Sequence, residues 1–242
     1  MDIYYKLNNN MINNYNMNKR NYQKLQNLNN LKNNNDKIIK DIINIINNNQ
    51  IFEINKYPFY ESYNNDNGEI YIGGIKENLK DGKGILYYNK DDNKDRKKYE
   101  GYFKNNLRDG RGKLCWNNGD RYEGDWKNNK REGKGIYYWS DGRKYDGDWH
   151  DDKREGKGIM LFKDGDKYEG DWKKDKFEGK GIYYCNDGRR YDGDWYNDKR
   201  EGKGIFYYNN GNREIGNYLN DKKKGKHIKL HVNGEVTSEI FF

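Results

Sequence analysis

The residue groupings that could carry chemistry in this sequence are few. Gly133-Lys134-Gly135 and its counterparts superficially match phosphate-binding loops, which cradle an anion with backbone N–H groups at the start of a helix. Here the pair recurs every 23 residues within segments of strand periodicity, with no strand-to-helix transition, so these glycines are read as packing positions. His150, His227 and His231 lie far from any cysteine or carboxylate cluster of metal-ligand spacing, and the i, i+4 pair His227/His231 falls in a strand-like segment where no metal pair is expected. Cys115 and Cys185 have no CxxC spacing and give neither a disulfide framework nor a zinc site. Three serines and one threonine offer no Ser/His/Asp arrangement. No catalysis, cofactor or metal is expected.

The elements that carry these residues form a repeat. Tyr99, Tyr122, Tyr145, Tyr168 and Tyr191 stand 23 residues apart, and Glu214 continues the phase. An earlier copy opens at Tyr71 and is 28 residues long, its extra residues falling within Asp91–Arg96. Insertions are cheap at a turn. A fixed period in this range is the mark of a repeat architecture. With the opening Tyr at position zero, Gly at two and Trp at four alternate with acidic residues at one and three, which is strand period. After a short polar loop come Gly at eleven, Gly at thirteen and large residues at fifteen and seventeen.

The unit therefore reads as an antiparallel hairpin. Keeping the glycines and rings together sets Tyr122 opposite Trp139, Gly124 opposite Tyr137 and Trp126 opposite Gly135, with the glycines making room for the rings. Asp141-Gly142 forms the turn into the next unit, and Asn118-Gly119, Asp164-Gly165, Asp187-Gly188 and Asn210-Gly211 repeat it. The other face carries Glu123, Asp125 and Lys134, read as a solvated ionic ladder. About fourteen strands at roughly 4.8 Å spacing would make a ribbon about 65–70 Å long.

Composition agrees with a thin structure. Of 242 residues 32% are hydrophobic and 36% charged, with a mean hydropathy of −1.47. Such polarity argues for disorder, but 16% aromatic residues and 28 glycines in register argue for a repetitive fold. Residues 1–35, rich in asparagine, read as a disordered arm. Residues 36–49 carry an isoleucine stripe of helical spacing (Ile38, Ile39, Ile42, Ile43, Ile45, Ile46) behind Asp36 as N-cap, and read as an amphipathic helix. It would cap the array, meet a partner helix or lie on a membrane. Residues 50–70 read as a lead-in half-repeat with an edge strand near Phe59-Tyr60, residues 71–236 as an array of about seven units, and residues 237–242 as a cap, with Val232, Ile240, Phe241 and Phe242 closing the end. There is no apolar span of transmembrane length. A cytoplasmic setting, cytoskeletal or peripheral to a membrane, is expected.

The pattern YxGxWxxxxxxGxG, followed by an aromatic and a DG or NG turn, resembles the MORN (membrane occupation and recognition nexus) repeat over about residues 71–236. The resemblance implies an all-β, elongated, single-layer antiparallel meander. It also implies roles that vary, from scaffolds, some of them self-associating, to modules beside catalytic domains. Fold alone does not choose among these.

Two surfaces compete as binding sites. The first is an aromatic face expected to lie bare: Tyr122, Trp126, Trp139, Tyr145, Trp149, Tyr168, Trp172, Tyr191 and Trp195. It would hold a helix or extended peptide of a protein partner, or a second copy. The second is basic: Lys130, Arg131, Lys153, Arg154, Lys199 and Arg200, expected in the hairpin loops, with Arg143-Lys144 and Arg189-Arg190 in the turns between units. These would contact anionic lipid, although solubilising charge is the plainer reading. Acidic residues at positions one and three argue against nucleic acid. A scaffold bound to a protein partner is the preferred function. A phosphoinositide-binding or anionic-membrane module, or a regulatory subunit of a separate enzyme, is the alternative.

Overall fold

A computed structural model describes residues 60–64, 69–89 and 91–242. The expected arm over 1–35 and helix over 36–49 lie outside these residues. The described part forms one antiparallel sheet of sixteen strands in strict sequence order, from β1 (Tyr60–Asn64) to β16 (Val236–Phe241). Each unit supplies one hairpin: β6 (Arg121–Lys127) with β7 (Lys130–Tyr138), then β8 (Lys144–His150) with β9 (Lys153–Leu161). The meander and the turn between units are those expected. The long first copy places its insertion between β3 (Leu79–Tyr87) and β4 (Arg96–Lys104), where Asp92 clamps Arg96.

The register within the hairpin differs from the expected one. Tyr122 stands opposite Tyr137, Gly124 opposite Gly135 and Trp126 opposite Arg131. The reason lies in two local features. The loop is a two-residue turn, Asn128-Asn129, with φ of 48° and 70° at its centre. Those are the left-handed angles that a tight hairpin turn needs and that Asn and Asp tolerate. Asp151-Asp152, Lys174-Asp175, Asn197-Asp198 and Asn220-Asp221 repeat it. The register then shifts between Gly124 and Trp126 at a bulge on the second strand. Gly133 supplies the bulge with φ +65°, and Asp125 accepts the N–H of Lys134 there at 3.3 Å. The counterpart bonds from Lys157, Lys180 and Lys203 to Asp148, Asp171 and Asp194 measure 2.9–3.0 Å. The glycine at position eleven is therefore a bulge, and only that at thirteen is a packing position.

That second glycine explains the core. The Tyr122 ring lies on Gly124 and Gly135, so that a Cβ at Gly135 would stand 2.5 Å from the ring carbon Cζ. Its hydroxyl donates to the carbonyl of Asp125 at 3.1 Å. The next unit's Trp149 closes over the edge of the same ring, with centroids 5.4 Å apart and planes at 84°, and donates its indole N–H to the Gly135 carbonyl at 3.0 Å. Edge-to-face contacts then run without a break through Tyr145, Trp172, Tyr168, Trp195, Tyr191 and Tyr218, at 5.1–5.5 Å. A single-layer sheet thus makes its own core. Each ring is buried by its neighbours along the ribbon, and such pairs add about 0.5–1.5 kcal/mol beyond area burial.

The last unit builds the spine from the other strand. Glu214 replaces the opening Tyr and His227 replaces the glycine at thirteen, and both are fully buried. The imidazole fills the space above Gly216 that a phenol occupies elsewhere. Its ring nitrogens face Glu214 Oε1 at 2.9 Å and the Asn217 carbonyl at 2.8 Å. Lys223 pairs with Glu214 at 2.6 Å and the Tyr208 hydroxyl donates to it at 2.6 Å. Phe242 continues the ring contacts onto His227 at 5.2 Å. Of the residues expected to close this end, Val232, Phe241 and Phe242 are exposed and Ile240 is half-buried; Val232 lies in the turn before β16, and β16 is the edge strand of the described sheet.

Candidate functional site

The aromatic face is not bare. Tyr122, Tyr145 and Tyr168 are fully buried, Tyr191, Trp126, Trp149, Trp172 and Trp195 nearly so. Eight of the nine residues expected to meet a partner are therefore core. Only Trp139 stays half-exposed. The expectation failed because it treated a ring standing on a single sheet as uncovered, whereas the next hairpin's indole and an arginine cover it.

That arginine also moves the basic residues. Arg131, Arg154 and Arg200 lie within β7, β9 and β13 (Lys199–Tyr207), not in loops. Arg131 stacks 4.2 Å from the Trp149 ring centroid. It also donates Nε and Nη2 to the Oδ1 and carbonyl oxygen of Asp152 at 3.1 and 2.8 Å. Arg154 does the same with Trp172 and Asp175. Arg200 does so with Tyr218 and Asp221. Backbone bonds complete the latch, since Arg131 N–H donates to Asp152 Oδ1 and Asp152 N–H to the Arg131 carbonyl. Each hairpin tip is thus fastened to the preceding one. Lys130 pairs with Asp151, the Lys199 ammonium donates to Asn220 at 3.5 Å, and Lys153 is exposed. The arginines are committed within the chain and offer little to an external anion.

What the spine leaves open is a second row on the same face, at its margin near the turns between units. Trp116, Tyr137, Trp139, Phe162, Tyr183 and Phe206 pack against the core and remain half-exposed. Neighbours touch: Trp116 with Tyr137 at 5.4 Å, Tyr137 with Trp139 at 4.5 Å, and Phe162 with Tyr183 at 5.8 Å. Carboxylates orient two of them. The Tyr137 hydroxyl donates to Asp120 at 2.9 Å and the Tyr183 hydroxyl to Asp166 at 2.7 Å. Burial, then the hydrogen-bonded carboxylate, pushes both phenols well above their usual range. Burial works against the Asp120 charge, yet the Ser140 N–H and the Tyr137 hydroxyl outweigh it and hold its carboxyl below the usual value. Positions fifteen and seventeen were legible in the sequence as large residues. Their half-exposure depended on the register and was not.

The opposite face is more than a wet ladder. One row alternates Lys134, Asp148, Lys157, Asp171, Lys180 and Asp194, with ion pairs from each lysine to the following aspartate. Exposed pairs of this kind contribute about 0–1 kcal/mol each. Beside it an isoleucine alternates with a carboxylate: Glu123, Ile136, Asp146, Ile159, Glu169 and Ile182. A third row stacks cations on rings, Arg121 on Tyr138 at 3.8 Å, Lys167 on Tyr184 at 4.0 Å and Arg190 on Tyr207 at 4.0 Å. Positions fourteen and sixteen carry these apolar side chains, on the face opposite to that of the large residues at fifteen and seventeen.

Among the described residues no group of His, Cys, Asp and Glu could hold a metal ion, and no helix is long and apolar enough to cross a membrane. Cys115 and Cys185 are free and half-buried.

Comparison with solved structures finds the TCP domain of SAS-4 (dCPAP) of Drosophila melanogaster, in complex with a proline-rich motif of Ana2 (dSTIL). It is 15% identical, with a TM-score of 0.41, covering 76% of this chain and 91% of that one. The TCP10 domain of Danio rerio CPAP is 14% identical, with a TM-score of 0.38, covering 76% and 89%. A search of curated proteins returned no match. A scan against protein families matches the MORN repeat at residues 71–92, 99–121, 122–142, 145–167, 168–189 and 191–213. Those six consecutive matches span more than half of the sequence and coincide with its hairpins, and the chain belongs to the MORN repeat family.

Proposed function

We propose that this chain is a non-catalytic scaffold that holds a protein partner, as a helix or extended segment, along the half-exposed aromatic row. The observation that carries the reading is that row itself: six rings on one margin, packed underneath and open above. Rigid aromatic side chains backed by a core supply large contact area at small entropic cost, and interface hot spots are enriched in Tyr and Trp. The spine explains why the support is stiff. The latch between hairpin tips explains why the row stays in line.

The test places a photo-crosslinking residue at Phe162, on the row, and separately at Lys157, on the ionic face. Crosslinking from Phe162 and not from Lys157, lost on Trp139→Ala/Phe206→Ala with an unchanged unfolding midpoint, is the expected result. Equal yields from the two faces, or full capture by the double variant, would refute it.

A further inference from the structure

The face opposite the spine neutralises itself along most of the ribbon. In each of the units opening at Tyr122, Tyr145, Tyr168 and Tyr191 a carboxylate stands at positions one, three and ten. The acid at position one pairs with the cation before it, as Glu123 does with Arg121, Asp146 with Lys144 and Glu169 with Lys167. The acid at position three takes a lysine of the preceding unit, as Asp148 takes Lys134. An isoleucine on this face is thereby set between two carboxylates, as Ile159 is between Asp146 and Glu169.

The last unit loses all three acids. Ile215, Asn217 and Lys224 take positions one, three and ten. Ile205, Ile215 and Ile228 then form one file across β13, β14 (Arg213–Leu219) and β15 (Lys222–Leu230), with no acid between them. Lys203, Asn217 and Lys224 run along one side of this file, and Arg213 and Leu230 along the other. Lys203, Arg213 and Lys224 are exposed. Among the described residues no carboxylate pairs with any of the three, whereas Lys223 and Lys226 nearby take Glu214 and Glu239. The hairpin does not require the change, because Asp146 stands between Ile136 and Ile159 as Ile215 stands between Ile205 and Ile228. The apolar file is open and is bordered on both sides by positive charge that nothing in the unit neutralises.

We propose that this end of the face, centred on Ile215, binds an amphipathic helix whose apolar stripe is flanked by carboxylates. The charge sets the flanks, since Lys203, Lys224 and Arg213 border the isoleucines and have no acid of their own. The flat sheet sets the secondary structure. Strands β13 to β15 are paired on both sides, so an extended segment laid over them would bury its own backbone groups unpaired, whereas a helix satisfies its own. A second copy related by a two-fold axis would set these cations against themselves. A lipid surface is entered by side chains that protrude, while Ile215 is only 39% exposed and Ile205 and Ile228 are half-buried. The inference goes beyond the function proposed above, because the patch and the aromatic row lie on opposite faces.

The experiment titrates a designed helical peptide, leucine along one face and glutamate on both flanks, into the isotope-labelled full chain and follows it by NMR. A twin peptide with lysine in place of glutamate is the control. Saturable shifts at the amides of Ile205, Ile215, Ile228 and Lys224 are expected with the glutamate peptide, weakening as salt is raised. The lysine twin should bind at least about tenfold more weakly. Ile215→Glu/Asn217→Asp gives this unit the acids that the others carry at the same positions. It should weaken the glutamate peptide by a similar factor with an unchanged unfolding midpoint. No saturable shift at these amides, equal binding of the two peptides, or undiminished binding to the double variant would each overturn the proposal. So would self-association through these residues, which would make a second copy the occupant. Binding to vesicles of phosphatidylserine and phosphatidylcholine, with none to the peptide, would overturn it in favour of a membrane surface. Crosslinking from Phe162 on the other face is read separately, so this proposal and the scaffold reading can fail independently.

Discussion

Replacing Gly158 by Ala tests the construction of the spine at its centre. A Cβ at Gly158 would stand 2.5 Å from Cε2 and Cζ of Tyr145, where carbon atoms rest at about 3.5–4.0 Å. The ring would have to rise by roughly 1 Å or more. It has no room to do so, being fully buried and held edge-on between Trp149 at 5.2 Å and Trp172 at 5.1 Å. Rising also breaks the hydrogen bond from its hydroxyl to the Asp148 carbonyl, 3.0 Å long. Overpacking costs about 1–3 kcal/mol, the lost hydrogen bond about 1 kcal/mol, and two loosened ring pairs up to about 1 kcal/mol together. The expected destabilisation is therefore about 2–5 kcal/mol. Gly142→Ala is the control, because Gly142 has φ +97° with open space around it, and backbone strain alone costs about 1–2 kcal/mol. Urea unfolding measures the total, and hydrogen exchange of β8 and β9 amides reads the local effect, since repeat arrays need not unfold in one step. The last unit supplies the coupling test. Gly158→His should be severe alone and partly rescued by Tyr145→Glu, the pair found at His227 and Glu214. A cost for Gly158→Ala no larger than for Gly142→Ala, or strict additivity in the His/Glu pair, would refute the socket argument.

Further outcomes follow from the same geometry. Trp149→Ala should cost about 3–5 kcal/mol in a denaturation titration, whereas Trp139→Ala, on the half-exposed row, should leave the midpoint nearly unchanged and weaken partner crosslinking. Asp152→Ala loses the acceptor for Arg131 and a favoured residue at φ +68°, for about 1–2 kcal/mol. Asp152→Asn should stay close to the parent, because Asn129 already fills that role for Arg108. Burial opposes the Glu214 charge, but the bonds from Lys223 and Tyr208 and the Lys223 and His227 charges outweigh it and lower its carboxyl value. A lowered folded value means stability that is present above the unfolded range of about 4.3 and lost as pH falls through the folded value. Amides of β15 (Lys222–Leu230) should lose protection in acid in the parent and keep it in Glu214→Tyr/His227→Gly. At the alkaline end, burial raises Tyr99, Tyr122, Tyr145, Tyr168 and Tyr191. Their contribution is full below the ordinary phenol range and fades above it, so ultraviolet titration should show them ionising only on unfolding.

The 23-residue period, the hairpin, the turn between units and the antiparallel meander were legible in the sequence, because each is written locally. Strand alternation around Tyr122 and Trp126 is a near-neighbour pattern, and so is Asp141-Gly142. The register was not legible. It turns on Asn128-Asn129 adopting left-handed angles and on Gly133 making a bulge, and both are compatible with the longer loop that was expected. One wrong offset then misassigned the partner of every ring.

Strand parity alone places Tyr122, Gly124 and Trp126, and their counterparts in the other units, on one face. Whether that face is a binding surface or a core depends on contacts between hairpins. The deciding contacts join positions 14 to 27 residues apart in neighbouring hairpins, Trp149 onto Tyr122 and Gly135, and Arg131 onto Trp149. Burial of a ring depends on what the next unit lays over it, and a single unit's pattern cannot specify that. The same reason sets apart Trp139, which is left half-open, and Phe177, which lays a phenyl ring against Tyr168 and Trp195 where other units lay a guanidinium.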